Sequence, residues 1–146
     1  MIRRAATELL CNLMASPVCI SNFADGSPRA KHRLHLLLAM TDVDDAATRS
    51  AAGGALAMLL SVDLAVLEFL KQDKSVEWLV GLCKDEDEGI RYRGIVCLRS
   101  VVDVKEGVDV CKKKGVVEEL KGVLQGSRSQ EVLGVGVETM KILLGQ

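Results

Sequence analysis

One short pattern returns four times along this chain, and the interval between its copies leaves few folds open. The segment Arg3-Arg4-Ala5-Ala6-Thr7-Glu8-Leu9-Leu10-Cys11-Asn12-Leu13-Met14, anchored on the small residue Ala6, recurs with anchors at Ala52, Gly94 and Gly136, at offsets of 46, 42 and 42 residues. Four residues beyond each anchor stand Leu10, Leu56, Leu98 and Met140. Seven beyond stand Leu13, Leu59, Val101 and Leu143, and eight beyond stand Met14, Leu60, Val102 and Leu144. Apolar positions so spaced form one stripe of a helix, so each copy reads as an amphipathic helix with a small residue where a neighbour approaches closely. The cluster Ala51-Ala52-Gly53-Gly54-Ala55 carries this furthest, since a mid-helix glycine costs about 1 kcal/mol against alanine and is tolerated best at a tight crossing. Replacing Ala52 with Leu is therefore expected to do more harm than replacing Gly54.

Two shorter apolar stretches lie between successive long helices. They are clearest where Leu67, Leu70, Val76, Leu79 and Leu82 align with Val108, Cys111, Val117, Leu120 and Val123 at a constant offset of 41. A short and a medium helix are implied, with turns at Gly26, Lys74 and Gly115. Asp42-Val43-Asp44-Asp45, Asp85-Glu86-Asp87-Glu88 and Ser127-Arg128-Ser129 precede the long helices, where such side chains cap first-turn amides and oppose the positive end of the helix dipole. Short, medium and long helices within about 42 residues match the period of armadillo and HEAT repeats. The expected fold is all-α, an armadillo/HEAT-type right-handed α-solenoid of about three repeats plus a leading long helix. The long helix is expected over 3–16, followed by repeats 17–62, 63–104 and 105–146, which reads as a stretch of a longer array.

Composition agrees and narrows the function. Apolar residues make up 49% of the 146 residues while aromatics are only 3%, which favours packed helices over a β-sandwich. A net charge of −1 supplies no electrostatic footprint for nucleic acid or an acidic membrane. No apolar run approaches the roughly 20 residues that span a bilayer, and the opening Met1-Ile2-Arg3-Arg4 is not followed by a signal-type core, so the chain reads as cytosolic or nuclear. Five cysteines (Cys11, Cys19, Cys83, Cys97 and Cys111) are an odd number without C-x-x-C spacing, set among aliphatic residues as reduced thiols used like small hydrophobes.

At Arg3-Arg4-Ala5-Ala6-Thr7-Glu8-Leu9-Leu10-Cys11-Asn12-Leu13, Phe23-Ala24-Asp25-Gly26 and Ala51-Ala52-Gly53-Gly54-Ala55-Leu56-Ala57-Met58-Leu59, continued at Arg93-Gly94-Ile95-Val96, the sequence resembles the UCS-domain proteins, the myosin-directed co-chaperones. The resemblance covers residues 2–102 well and 103–146 as repeat pattern only, and corresponds to the C-terminal end of the UCS armadillo array. It implies a cytoplasmic protein-interaction scaffold that binds the myosin motor domain and aids its folding, with a heat-shock chaperone recruited through regions outside this chain. It brings no catalytic motif and no cofactor. The other reading is a generic armadillo or HEAT adaptor for a non-myosin protein, and an end-piece that merely caps the array is a third.

Four residues stand out as candidates for partner binding: Asn12, Arg91, Arg93 and Arg99. Asn12 occupies the Leu-x-Asn-Leu setting in which peptide-binding armadillo proteins present an amide to an extended backbone. Its counterparts Met58, Ser100 and Ile142 break that ladder and disfavour a nuclear-import-style reader. The arginines belong to a basic set, with Arg3, Arg4 and Arg49, on or before the long helices, where a guanidinium can grip a partner carboxylate with two parallel bonds or simply join a solvated face. His32 and His35 share a helical face, yet two ligands do not make a structural zinc site. Gly134-Val135-Gly136 lacks the strand and third glycine of a dinucleotide fingerprint. Trp78 and Phe69 read as core, and Lys112-Lys113-Lys114 as a solvated helix end. Neither paired carboxylates nor a nucleophile with a positioned base can be assembled, so no enzymatic activity is expected.

Overall fold

The computed structural model describes residues 1–146, and every regular element in it is helical. The long helices are α1 (Ile2–Leu13), α4 (Ala46–Leu59), α7 (Glu88–Val102) and α10 (Gln130–Leu144). Between them run the short helices α2 (Pro17–Ala24), α5 (Asp63–Leu70) and α8 (Lys105–Lys113) and the medium helices α3 (Pro28–Ala39), α6 (Ser75–Cys83) and α9 (Val116–Gly126). Each type stacks on its own kind: α1 on α4 on α7 on α10, α3 on α6 on α9, and α2 on α5 on α8. Three such ladders, joined by one continuous core, are an α-solenoid.

Local chemistry sets the boundaries. Asp45, Asp87 and Ser129 cap the long helices by accepting from the amides of Thr48 (3.1 Å), Ile90 (3.0 Å) and Val132 (3.3 Å). Turns into the medium helices require a left-handed residue: Gly26 and Gly115 supply it at φ 77° and 73°, and Lys74 adopts it at 60°. The first helix ends at Leu13, three residues short of the expected 16, because Pro17 holds Ser16 in extended conformation. The first interval of 46 residues rather than 42 is accommodated by the 12-residue α3 and a 3₁₀ turn at Met40–Asp42, which periodicity alone did not reveal.

Two of the anchors, Gly94 and Gly136, meet the medium helix of their own unit, whereas Ala6 is exposed. A Cβ on Gly94 would stand 2.7 Å from the Cys83 amide nitrogen and 2.8 Å from the Leu82 carbonyl carbon, so α7 lies directly on the α6 backbone. Ala52 is fully buried. The apolar stripe closes the core along the ladder: Leu56, Leu59, Leu98 and Val101 are buried, as are Met14 at the end of α1 and Leu143 on α10, whereas Leu13 and Leu144 of the same stripe are exposed. Position in the stack, more than residue type, decides burial.

Two comparisons follow. Leu59→Ala is expected to cost about 3 kcal/mol in urea unfolding, while Leu13→Ala, one unit away in the repeat, changes stability by no more than about 0.5 kcal/mol. Gly94→Ala is expected to cost about 2 kcal/mol because backbone must move. Gly81→Ala, where a Cβ meets nothing within 4 Å, should gain about 0.5–1 kcal/mol.

Candidate functional site

The face of the long helices opposite the buried stripe forms a groove. Part of it is a cavity of about 430 Å³ between α1, α4 and α7, lined by Glu8, Cys11, Asn12, Ala47, Ser50 and Arg93, with Ala51 completing the floor. Small residues keep the floor low. Arg93 lies across it: its Nη1 donates to the Ser50 carbonyl and to the Ser50 hydroxyl at 3.0 Å. Gly54 makes room for this, because a Cβ there would approach Arg93 Nη1 to 2.9 Å and Cys11 Sγ to 3.0 Å. The groove therefore offers a tethered cation in its floor and, at its rim, the Asn12 amide, which is exposed and makes no side-chain hydrogen bond within the chain. Glu8 balances part of the charge through its pair with Arg4 at 2.9 Å.

Two of the four candidate residues, Asn12 and Arg93, thus meet in one groove. Arg99 lies further along α7, where its Nη1 pairs with Asp103. Its Nε also forms an ion pair with a Glu138 oxygen at 3.5 Å. Arg91 faces elsewhere, into a cleft beside α6 and α9. From sequence, Ser50 and Glu8 are left aside and Gly54 and Cys11 read only as packing residues, because all four lie off the apolar stripe. A signal existed: they occupy positions two before, two after and five after the anchors, on the helix face that the stripe leaves free.

The remaining polar groups hold units together. Arg49 reaches from α4 to Asp85 beyond α6, with Nε–Oδ2 2.7 Å and Nη2–Oδ1 3.3 Å, and its Nη1 donates to the carbonyls of Val43 (3.0 Å) and Asp44 (2.8 Å). Burial pushes the Asp85 carboxyl up, but the Arg49 hydrogen bonds, the Asp87 amide and the charges of Arg49 and Arg91 outweigh it and hold the group below its ordinary value. Burial pushes the Cys83 thiol up to about 12 and Cys111 up to about 11, and raises Cys97 as well, so at neutral pH all three are protonated. The His35 ring packs against Trp78 at 5.6 Å between centroids. No three His, Cys, Asp or Glu side chains converge as a metal site, and no helix is long and apolar enough to cross a membrane.

No protein-family model matches the chain. Ring assembly protein 3 of Schizosaccharomyces pombe is 39% identical over 108 residues, which are 73% of this chain and 14% of that protein. Protein unc-45 homolog B of Danio rerio is 32% identical over 126 residues, 84% of this chain and 13% of the relative. The chain therefore spans about one seventh of the length of these relatives. Among solved structures, UNC-45 from Drosophila melanogaster superposes with a TM-score of 0.85 over 97% of this chain and 18% of its own, at 23% identity. A designed armadillo repeat protein does so with a TM-score of 0.68 at 17% identity over 94% of this chain and 64% of its own. Fold and repeat geometry together define an armadillo-type α-solenoid. Within that class the chain belongs to the UCS-domain family, of which it forms part of the armadillo-like array.

Removing Arg49 tests the inter-unit tie. Arg49→Ala is expected to cost about 2 kcal/mol at pH 7, since it strips a partly buried carboxylate and two carbonyls of their donor. Asp85 titrates lower in the folded chain than in the unfolded one. Its contribution is therefore present above the ordinary carboxylate value and lost as the pH falls through the lowered one. The gap between wild type and variant in urea unfolding should accordingly narrow on acidification.

Proposed function

We propose that this chain is part of a non-enzymatic, cytoplasmic scaffold of the co-chaperone type, which holds a myosin motor domain against the groove formed by α1, α4 and α7. The observation that supports this most is the 39% identity to Ring assembly protein 3 over 73% of the chain, taken with the groove. Long helices stacked in register give a rigid surface, and the small-residue floor lets a partner backbone approach closely. A guanidinium already tethered to Ser50 loses little freedom when it binds, which is what makes a pre-organised contact effective. A heat-shock chaperone, if recruited, engages regions of the full-length protein beyond these residues.

The test is direct binding of a purified myosin motor domain to the chain, followed by light scattering of the heated motor with and without it. Wild type is expected to bind and to suppress aggregation. Asn12→Ala and Arg93→Ala are expected to weaken binding at least about tenfold when combined, a loss of about 1.4 kcal/mol. Asn12→Ala alone leaves the fold untouched and so reports on the groove independently of stability. A motor domain that neither binds nor is protected overturns this reading in favour of a generic armadillo adaptor for another protein.

A further inference from the structure

We propose a second docking point, away from the groove: the cleft between α6, α7 and α9 is a seat for an aspartate or glutamate side chain of a protein partner, received by Arg91. The case comes from comparing two neighbouring units of the same array. Arg49 and Arg91 hold equivalent places, each four residues after the cap of its long helix, with its amide bonded to the cap carbonyl of Asp45 or Asp87. Arg49 is saturated by Asp85 and two carbonyls. Ser127 occupies the place of Asp85 in the next unit. Both stand two residues before a cap and make the same turn, Asp85 Oδ1 accepting from the Asp87 amide at 2.9 Å and Ser127 Oγ from the Ser129 amide at 3.3 Å. A serine keeps the turn but supplies no carboxylate.

Arg91 is left unmatched. Its side chain makes no hydrogen bond or ion pair in the chain, and its Nε is buried without a partner. Asp85 feels the charge of Arg91, yet its oxygens are already taken by Arg49 and the Asp87 amide. A buried guanidinium N–H without an acceptor is costly and calls for a ligand or water. Space for one exists: a cavity of about 420 Å³ is lined by Cys83, Lys84, Arg91, Glu118, Glu119 and Gly122. A Cβ on Gly122 would meet nothing within 4 Å, so the approach along α9 is open.

The charges around the cleft select the ligand. Lys84 is neutralised by Glu119, which leaves Arg91 as the unpaired cation and Glu118 as an unpaired anion on the rim. A single carboxylate fits the planar fork of the guanidinium. Glu118 opposes any anion at the same mouth, a doubly charged phosphate about twice as strongly as a carboxylate. An acidic side chain flanked by a basic one is therefore the complementary partner feature. This seat does not depend on which client occupies the groove.

The test reads the Arg91 Nε–H signal by NMR in the intact chain, assigned by its disappearance in Arg91→Gln, while N-acetyl-aspartate methylamide is titrated in. The expected result is a saturable shift with the aspartate and none with the asparagine analogue. In Ser127→Asp, which supplies the missing carboxylate from within, the signal should move before any ligand is added, and apparent affinity for the aspartate should fall at least about tenfold. Ser127→Asp should also raise the unfolding midpoint. An Arg91 signal indifferent to the aspartate in wild type overturns the proposal, as does an equal response to inorganic sulfate. A Ser127→Asp chain that still responds to the aspartate like wild type overturns it too.

Discussion

The close seating of α7 on the backbone of α6 fixes much of what the rest of the structure does. With Gly94 only 2.7 Å, measured from where a Cβ would stand, to the Cys83 amide nitrogen, no side chain fits between the two helices. That approach carries the far side of α7 onto α4, where the Cys97 thiol donates to the Gly53 carbonyl at 3.7 Å. A Cβ on Gly53 would then stand 3.5 Å from Arg93 Cβ, and the guanidinium reaches over Gly54 to Ser50. A larger residue at position 94 would displace α7 and lift Arg93 from the floor of the groove. Helix packing inside one unit and groove chemistry between two units are thus one constraint seen from two sides.

The polar contacts that span the chain extend about one period and no further. Arg49 to Asp85, Glu77 to Lys114, Lys31 to Gln72 and Ser50 to Arg93 each join one unit to the next. A solenoid built this way distributes its stability as unit and nearest-neighbour terms. It also explains why chemically similar residues carry different weight by position, as Leu13 and Leu59 do. Cysteine is used in the same spirit: Cys83, Cys97 and Cys111 fill tight places in the core as small apolar groups.

Much of this was legible in the sequence because the determinants are local. The apolar stripe, the capping residues Asp45, Asp87 and Ser129, and the turn residues Gly26, Lys74 and Gly115 act within a few positions of themselves. Asn12 could be singled out from its neighbours alone. What the sequence could not disclose was set by stacking. That Arg93 would bend onto Ser50, that Arg49 rather than Arg91 would find a carboxylate, and that Arg99 would also reach Glu138 on α10 depend on the rotation of one long helix against the next. The four extra residues of the first repeat were visible as an offset, but their resolution into a longer α3 and a 3₁₀ turn required knowing which end of the medium helix was free to grow.

In a repeat protein the informative residues are those that depart from the period. Positions that obey it are explained by packing: Ala52, Gly94 and Gly136 by close approach, and Leu56 and Leu98 by the core. Asn12 has no amide among its counterparts Met58, Ser100 and Ile142, and Arg93 stands where the other units place Ala5, Ala51 and Val135. Ser127 stands where the preceding unit has Asp85. Packing asks for none of these departures. Each leaves a polar group facing the groove or a cleft, two of them without an internal partner, and that is how a scaffold whose backbone merely repeats acquires distinct places to hold another protein.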